Sequence, residues 1–351
     1  MHGAPAVGRS PQQFSPVRAL SFHASYRCQH RGACCESGWP IPVEAERIAP
    51  IQHAVASGQL HAPPGHAPLQ FPTGAPSDAP ALLAITHRAC VFRHASRCDI
   101  HAALGPAALP LACRQFPRVC VLDPRGVSVT LSHYCPTARA MLTDVPAPSR
   151  IVTDATAFPY DAEYSGLDAR AALPPLLRRD VLMDWDSWWH CEALAVDLIA
   201  NATASPGEAI ARLHVAVEET RAWSPSQGPL LSRIDAAFVA ARIGPAGPDR
   251  HSSRDTSTRR AEIFAAIPGD LATPSPSGAV VTPAIARRLL AAHAFGNWTA
   301  HLGGGLRSWL RSLEAVHALI RAGFDVGQVD LLIRHLADPT ALANSWSVAE
   351  S

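Results

Sequence analysis

The clearest periodicity in the chain lies near its end. Leu306, Trp309, Leu310, Leu313, Val316 and Ile320 recur at i, i+3 and i+4 spacing, the stripe of a helix with one buried face, and Gly323 is placed to end it. A further helix is predicted from about Val326 to Leu336, before Asp338-Pro339. Upstream, Ser205-Pro206-Gly207-Glu208 reads as a capping box with proline at the first helical position, and Thr282-Pro283 repeats the cap-plus-proline start. Trp185, Trp188 and Trp189 share helical spacing and read as a buried stripe. A different pattern appears where Val119–Leu122 and Val127–Leu131 flank Asp123-Pro124-Arg125-Gly126; alternating apolar segments around turn residues predict a β-hairpin. Such a hairpin would bring Cys113, just before it, next to Cys135, just after it.

These patterns divide the chain. Residues 1–17 read as a loose leader. Residues 18–145 show little long-range helical periodicity and are split by the loop-like stretch HAPPGHAPLQFPTGAPSDAP (61–80). Residues 146–351 read as helices, with flexible loops near 244–258 and 268–282. The fold class expected is α+β, mainly α: a loop-rich cysteine domain with a small β-hairpin, then a helical domain.

Composition narrows the chemistry. With 48% apolar residues in 351, the chain can fill a sizeable core and is not generally disordered. It has no lysine, so all 30 basic residues are arginines; Schiff-base lysines, lysine bases and phosphate-cradling lysines are excluded. A net charge of +1 gives no sign of a nucleic-acid partner. The N-terminus lacks the apolar run of a secretory signal, and no stretch approaches the roughly 20 apolar residues of a membrane span. Cytoplasmic residence with reduced thiols is therefore expected.

Eight of the nine cysteines lie between Cys28 and Cys135. An odd count and the adjacent pair Cys34-Cys35 fit a disulfide framework poorly, whereas reduced clustered cysteines most often hold metal. Thiolates are soft, anionic donors suited to zinc or iron–sulfur clusters, and either centre takes four. The intervals are long, 5 residues between Cys28 and Cys34 and 7 between Cys90 and Cys98, so spacing leaves the metal open. Cys120 reads as a packed strand thiol and Cys191 as a core thiol on a helix with Trp188, Ala195 and Leu198. His101, three residues after Cys98, reads first as a hydrogen-bonding or surface histidine and second as a ligand. Arg114, beside Cys113, either offsets charge at a bound centre as an outer partner or forms a surface ion pair.

The runs CQHRGACCESGW (28–39), CVFRHASRCDIH (90–101), LPLACRQFPR (109–118) and SHYCP (132–136) resemble, in order, the motifs of the YkgJ-type cysteine-cluster (CxxCxxCC) family of zinc- or iron-chelating domains, which includes flagellin lysine-N-methylases. The resemblance covers roughly residues 25–140, with weaker similarity at FGNWTAHLGGGLRSWL (295–310). It implies Cys28, Cys34, Cys35, Cys90, Cys98, Cys113 and Cys135 as metal ligands. The family's first motif has a cysteine where this chain has Arg31. Either the site is one ligand short, or His30 or His101 substitutes, or that cysteine is dispensable. Two functions follow as expectations. The first is a metal-binding protein with zinc or an iron–sulfur cluster of the 4Fe-4S type. The second is an S-adenosylmethionine-dependent lysine N-methyltransferase acting on flagellin or another protein, although no G-x-G-x-x-G follows a strand.

Overall fold

The computed structural model describes residues 16–29, 32–62, 65–143, 148–160, 162–201, 203–244, 274, 280–302 and 304–336. Most of the leader, the greater part of both expected loops near 244–258 and 268–282, and His30 and Arg31 lie outside the described residues. The fold is mixed α+β with helices predominating.

The predicted hairpin forms. Strands Arg118–Asp123 and Gly126–Leu131 pair antiparallel around the Asp123–Gly126 turn, with Cys120 opposite Val129. They are the middle of a five-stranded sheet. Val17–Leu20 runs parallel to the second hairpin strand and pairs antiparallel with Ile151–Thr153, while Leu167–Asp168 runs parallel to the first. The alternation is real, but both faces are covered. Val17, Ala19, Cys120, Leu122, Val127, Val129 and Leu131 face one apolar core closed by Phe158 and Tyr164. The opposite face carries Arg18, Ser128 and Thr130, buried under helices and hydrogen-bonded there: Thr130 donates to the Ala292 carbonyl, and Arg18 to Ser128 and Glu192.

Two expectations shift. The first strand starts at Val17, inside the expected leader, and strands occupy 151–182 where helices were expected; long helices begin at Trp185. These strands are two to four residues long, so local periodicity could not announce them; those of the main sheet pair with distant segments, and Leu176–Arg178 pairs with Val181–Leu182 in a small local hairpin.

The helical side comprises Trp185–Ala200, Pro206–Arg221, Leu230–Ile243, Pro283–Ala294 and Gly305–Arg321. Ser205 and Thr282 cap their helices through the backbone N–H groups of Glu208 and Ile285, but Glu208, expected to complete a capping box, pairs with Arg212 instead. Gly323 adopts φ +90° just past the Leu306–Ile320 stripe, which ends that helix. The last helix is α-helical over Val326–Asp330 and π-helical over Leu331–Leu336. Trp188 and Trp309 meet edge to face at 5.4 Å in the centre of this core, where Cys191 is also buried. Of the tryptophan stripe, only Trp188 is fully interior; Trp189 is gripped by the guanidinium groups of Arg18 at 3.8 Å and Arg125 at 4.1 Å and donates to Asp123. Among the described residues no helix is long and apolar enough to cross a membrane.

The third unit, the cysteine lobe, has its own core around Ile41, Val43, Ile51, Leu83, Phe92 and Ile100. It contains one substantial helix, Ala45–Ala56, which runs through Pro50. Ile51 and Ala54 pack inward with Ile48 and Val55 beside them, but the internal proline masks the pattern in sequence.

Candidate metal centre

Five cysteines converge in the cysteine lobe. Cys34 and Cys35 sit on a single 3-10 turn, Ala33–Cys35. Cys90 and Cys98 end two successive miniature hairpins, Ile85–Thr86 with Ala89–Cys90 and Arg93–His94 with Arg97–Cys98. Cys113 lies on the short helix Leu111–Gln115, whose first N–H is held by both carboxylate oxygens of buried Glu44 at 3.1 Å. All five belong to, or pack against, one core.

Glycine permits this convergence. Gly32 has φ +71°, and a Cβ there would stand 2.3 Å from the Ser96 carbonyl oxygen, so the Cys34-Cys35 turn rests directly on the hairpin turn leading to Cys98. Both hairpin turns are made by non-glycine residues with positive φ: His87 and Arg88, then Ala95 and Ser96. Each such residue costs about 1 kcal/mol or more, so the lobe is locally strained where its thiols meet. An Arg93–Glu36 ion pair also ties the second hairpin to the Cys34-Cys35 segment.

The thiols act on one another. Hydrogen bonding to Cys35 pulls Cys34 and Cys98 down, Cys98 to about 7, and the same bonds push Cys35 up. Backbone N–H groups of His101 and Ile100 further favour the Cys98 thiolate. Burial pushes Cys90 up to about 12 and Cys113 well above the ordinary thiol value. A compact group of soft donors, partly ionised and otherwise costly to ionise, fits a thiophilic cation that would offset their charge. Among the described residues no group of three or more Cys, His, Asp or Glu side chains stands in the arrangement of a finished metal site; the sulfurs of Cys34, Cys35 and Cys98 are joined by hydrogen bonds instead.

The other two expected ligands go elsewhere. Cys135 packs in the sheet core with Tyr26, whose hydroxyl lies 3.8 Å from its sulfur, and exposed Cys28 bonds the same hydroxyl. Cys113 and Cys135 are thus not paired, contrary to expectation. The hairpin ends do close, with the Ser132 N–H on the Pro117 carbonyl at 2.7 Å, but the helix before Pro117 directs Cys113 into the cysteine lobe. Arg114 forms an ion pair with Glu163 at 2.8 Å and is not a leading influence on any of the five thiols. Cys120 and Cys191 are fully buried, and burial raises both to about 12.

A cleft of about 1080 Å³ opens beside the lobe. Trp39, Glu44, Leu111 and Phe116 line it from the cysteine side, and Trp298, Arg334 and His335 from the helical side. Ala112, next to Cys113, also lines it. Behind it lies a polar hub that the sequence did not reveal. The fully buried Asp330 carboxylate accepts from Ser132 at 2.6 Å and His133 Nδ1 at 3.3 Å, with His293 Nε2 at 3.1 Å and Arg334 Nε at 3.3 Å in close electrostatic contact. His133 in turn meets His23, Nε2 to Nε2, at 3.1 Å. Arg334 and the neighbouring hydrogen bonds hold Asp330 well below the ordinary carboxylate value against the cost of burial, while burial pulls His293 and His335 down to about 4. The one sequence clue was the SHYCP run, noticed for Cys135; its Ser132 and His133 serve Asp330.

No family model, curated protein or solved structure matches the chain, so the chemistry of the site stands on its own residues.

Proposed function

We propose that this chain is a metal-binding protein that holds a 4Fe-4S cluster or a zinc ion through Cys90, Cys98, Cys113 and the Cys34-Cys35 pair. The supporting observation is the convergence of these five thiols from four chain segments. Cys28 and Cys135, grouped around Tyr26, stand outside this ligand set. A bound cluster would supply electron-transfer chemistry, and zinc would supply a structural cross-link. The test is anaerobic purification followed by elemental analysis and a visible spectrum. Stoichiometric iron and sulfide with broad visible absorption identify the cluster; a colourless protein with stoichiometric zinc identifies zinc. Absence of metal overturns the proposal. Cys98→Ser and Cys113→Ser should lose the metal, whereas Cys28→Ser and Cys191→Ser should keep it.

The cleft beside the Cys113 helix favours a second reading, in which the protein is an enzyme and the centre serves chemistry on a bound molecule. The motif resemblance then points to S-adenosylmethionine-dependent lysine N-methylation of flagellin or another protein. Anaerobic incubation of metal-loaded protein with S-adenosylmethionine and flagellin, read by lysine mass shifts, tests it; unmodified lysines refute it.

A further inference from the structure

The hydrogen-bond inventory behind the cleft determines which nitrogen of His335 carries its proton. Asp330 is ionised and can only accept, so Ser132 spends its single hydroxyl proton on Asp330 Oδ2 at 2.6 Å. The Ser132 oxygen also lies 2.7 Å from His335 Nε2. With its proton already committed, Ser132 must accept there, and His335 must donate from Nε2. Burial keeps this imidazole neutral, its pKa pulled down to about 4, so Nδ1 is left with a bare lone pair. Nε2 is turned inward onto Ser132, and the ring is stacked on Trp39 with centroids 4.5 Å apart. Nδ1 has no hydrogen-bond partner among the described residues, and with Nε2 aimed at Ser132 it points away from the hub on a ring that lines the cleft. Its orientation is fixed from behind by Ser132 and Asp330, as a recognition group requires.

The rest of the cleft defines what such an acceptor could meet. Its walls include Trp39, Phe116 and Trp298, flat apolar surfaces suited to aromatic rings. Trp298 Nε1 is engaged on the Cys120 carbonyl and Asn297 Nδ2 on the His293 carbonyl and Ser312, while the Trp39 Nε1–H and the Ser165 hydroxyl have no hydrogen bond among the described residues. Gln115 spends its Nε2 on the Glu163 carbonyl and keeps a buried Oε1 with no partner. Of the charged groups, Arg334 is occupied with Asp330, Glu44 with the Leu111 N–H, and Arg118 with the Arg114 and Gln115 carbonyls, whereas Asp78 is exposed to water and has no side-chain partner among the described residues. An anion would find no unoccupied cation among the described residues here, and a cation would meet only the solvated Asp78 carboxylate, a weak and screened attraction. We propose that the cleft is a binding site for an uncharged aromatic molecule bearing an O–H or N–H donor, which His335 Nδ1 accepts. This site does not depend on the identity of the metal or on methyl transfer.

The test uses the full-length protein labelled with ¹⁵N-histidine, and phenol as the minimal probe. Long-range ¹H–¹⁵N spectra, assigned by the signals lost in His335→Phe, should show His335 as the Nε2–H tautomer at pH 7. Phenol should move the Nδ1 resonance, whereas anisole, the same ring without the O–H, should bind about fivefold more weakly and leave Nδ1 unmoved. In His335→Phe, which keeps a ring against Trp39, phenol and anisole should bind alike. A proton on Nδ1, equal binding of phenol and anisole by the native protein, or no binding of either would overturn the proposal; the native spectra decide it even should the variant not fold.

Discussion

Residues 33–115 and residues 185–336 are ordered by different means. In the cysteine lobe the strands run two or three residues, the longest helix has 12, and four non-glycine residues sit at positive φ in hairpin turns two residues long. On the helical side, helices of 12 to 17 residues share one continuous apolar core centred on Trp188, Trp309, Phe238 and Phe295. There, burial on the order of 2 kcal/mol per large side chain matches the entropy of ordering. In the lobe, strained turns meet at thiols that hydrogen-bond one another, and a small core supports them. The difference teaches that the helices are held by their own core, whereas the lobe has little core to offset its strained turns, a gap that the proposed metal cross-link would fill.

The largest test of this contrast is removal of metal. A structural thiolate centre contributes on the order of 10 kcal/mol, so chelation or Cys98→Ser should open the lobe to proteases while most helical circular dichroism persists. Loss of all secondary structure together would erase the distinction. Next comes the buried Arg18–Glu192 pair at 2.8 Å, which joins the sheet to the first long helix. Glu192 also accepts the Gly296 N–H, so Glu192→Ala strands a buried guanidinium; about 3–5 kcal/mol should be lost in urea unfolding, with metal content unchanged.

Acid supplies a test of the buried histidines, chiefly those of the Asp330 hub, to which His301 beside Trp185 and Trp188, also pulled down to about 4 by burial, adds. His293 and His335 have folded values of about 4, below their ordinary 6.5, so the unfolded chain binds protons first as pH falls. Their contribution is complete above pH 6.5 and declines from there toward pH 4, by on the order of 3 kcal/mol each. Protein stripped of metal should keep this decline, measured by urea midpoints across the range; a flat profile would place the hub's histidines in water. Smaller still, Gly32→Ala combines an unfavourable φ with a backbone clash at Ser96 and should cost about 2 kcal/mol. The loss should appear as faster metal release, with thermal melting of the helices unaltered.

The sequence showed those features whose partners are close along the chain. The Leu306–Ile320 stripe, the caps at Ser205 and Thr282 and the Asp123–Gly126 hairpin are set by spacing within a few residues, and each formed. Sheet order was hidden because Val17 pairs with Val127, 110 positions away, through strands too short to show a period. The same applied to Asp330, whose partners come from residues 132–133, 293 and 334 and acquire meaning only when assembled. For the site, clustering together with the motif resemblance singled out the five convergent cysteines along with Cys28 and Cys135, and could not separate the two sets because the positions of Cys28 and Cys135 depend on where Tyr26 packs.

The central claim, that thiolates of the cysteine lobe hold a metal, is met most directly by X-ray absorption at the metal edge of the protein purified anaerobically. The account predicts a first shell of about four sulfurs, near 2.3 Å, in the native protein and its loss in Cys113→Ser. A first shell of nitrogen and oxygen only, or a sulfur shell unchanged in Cys113→Ser, would contradict it.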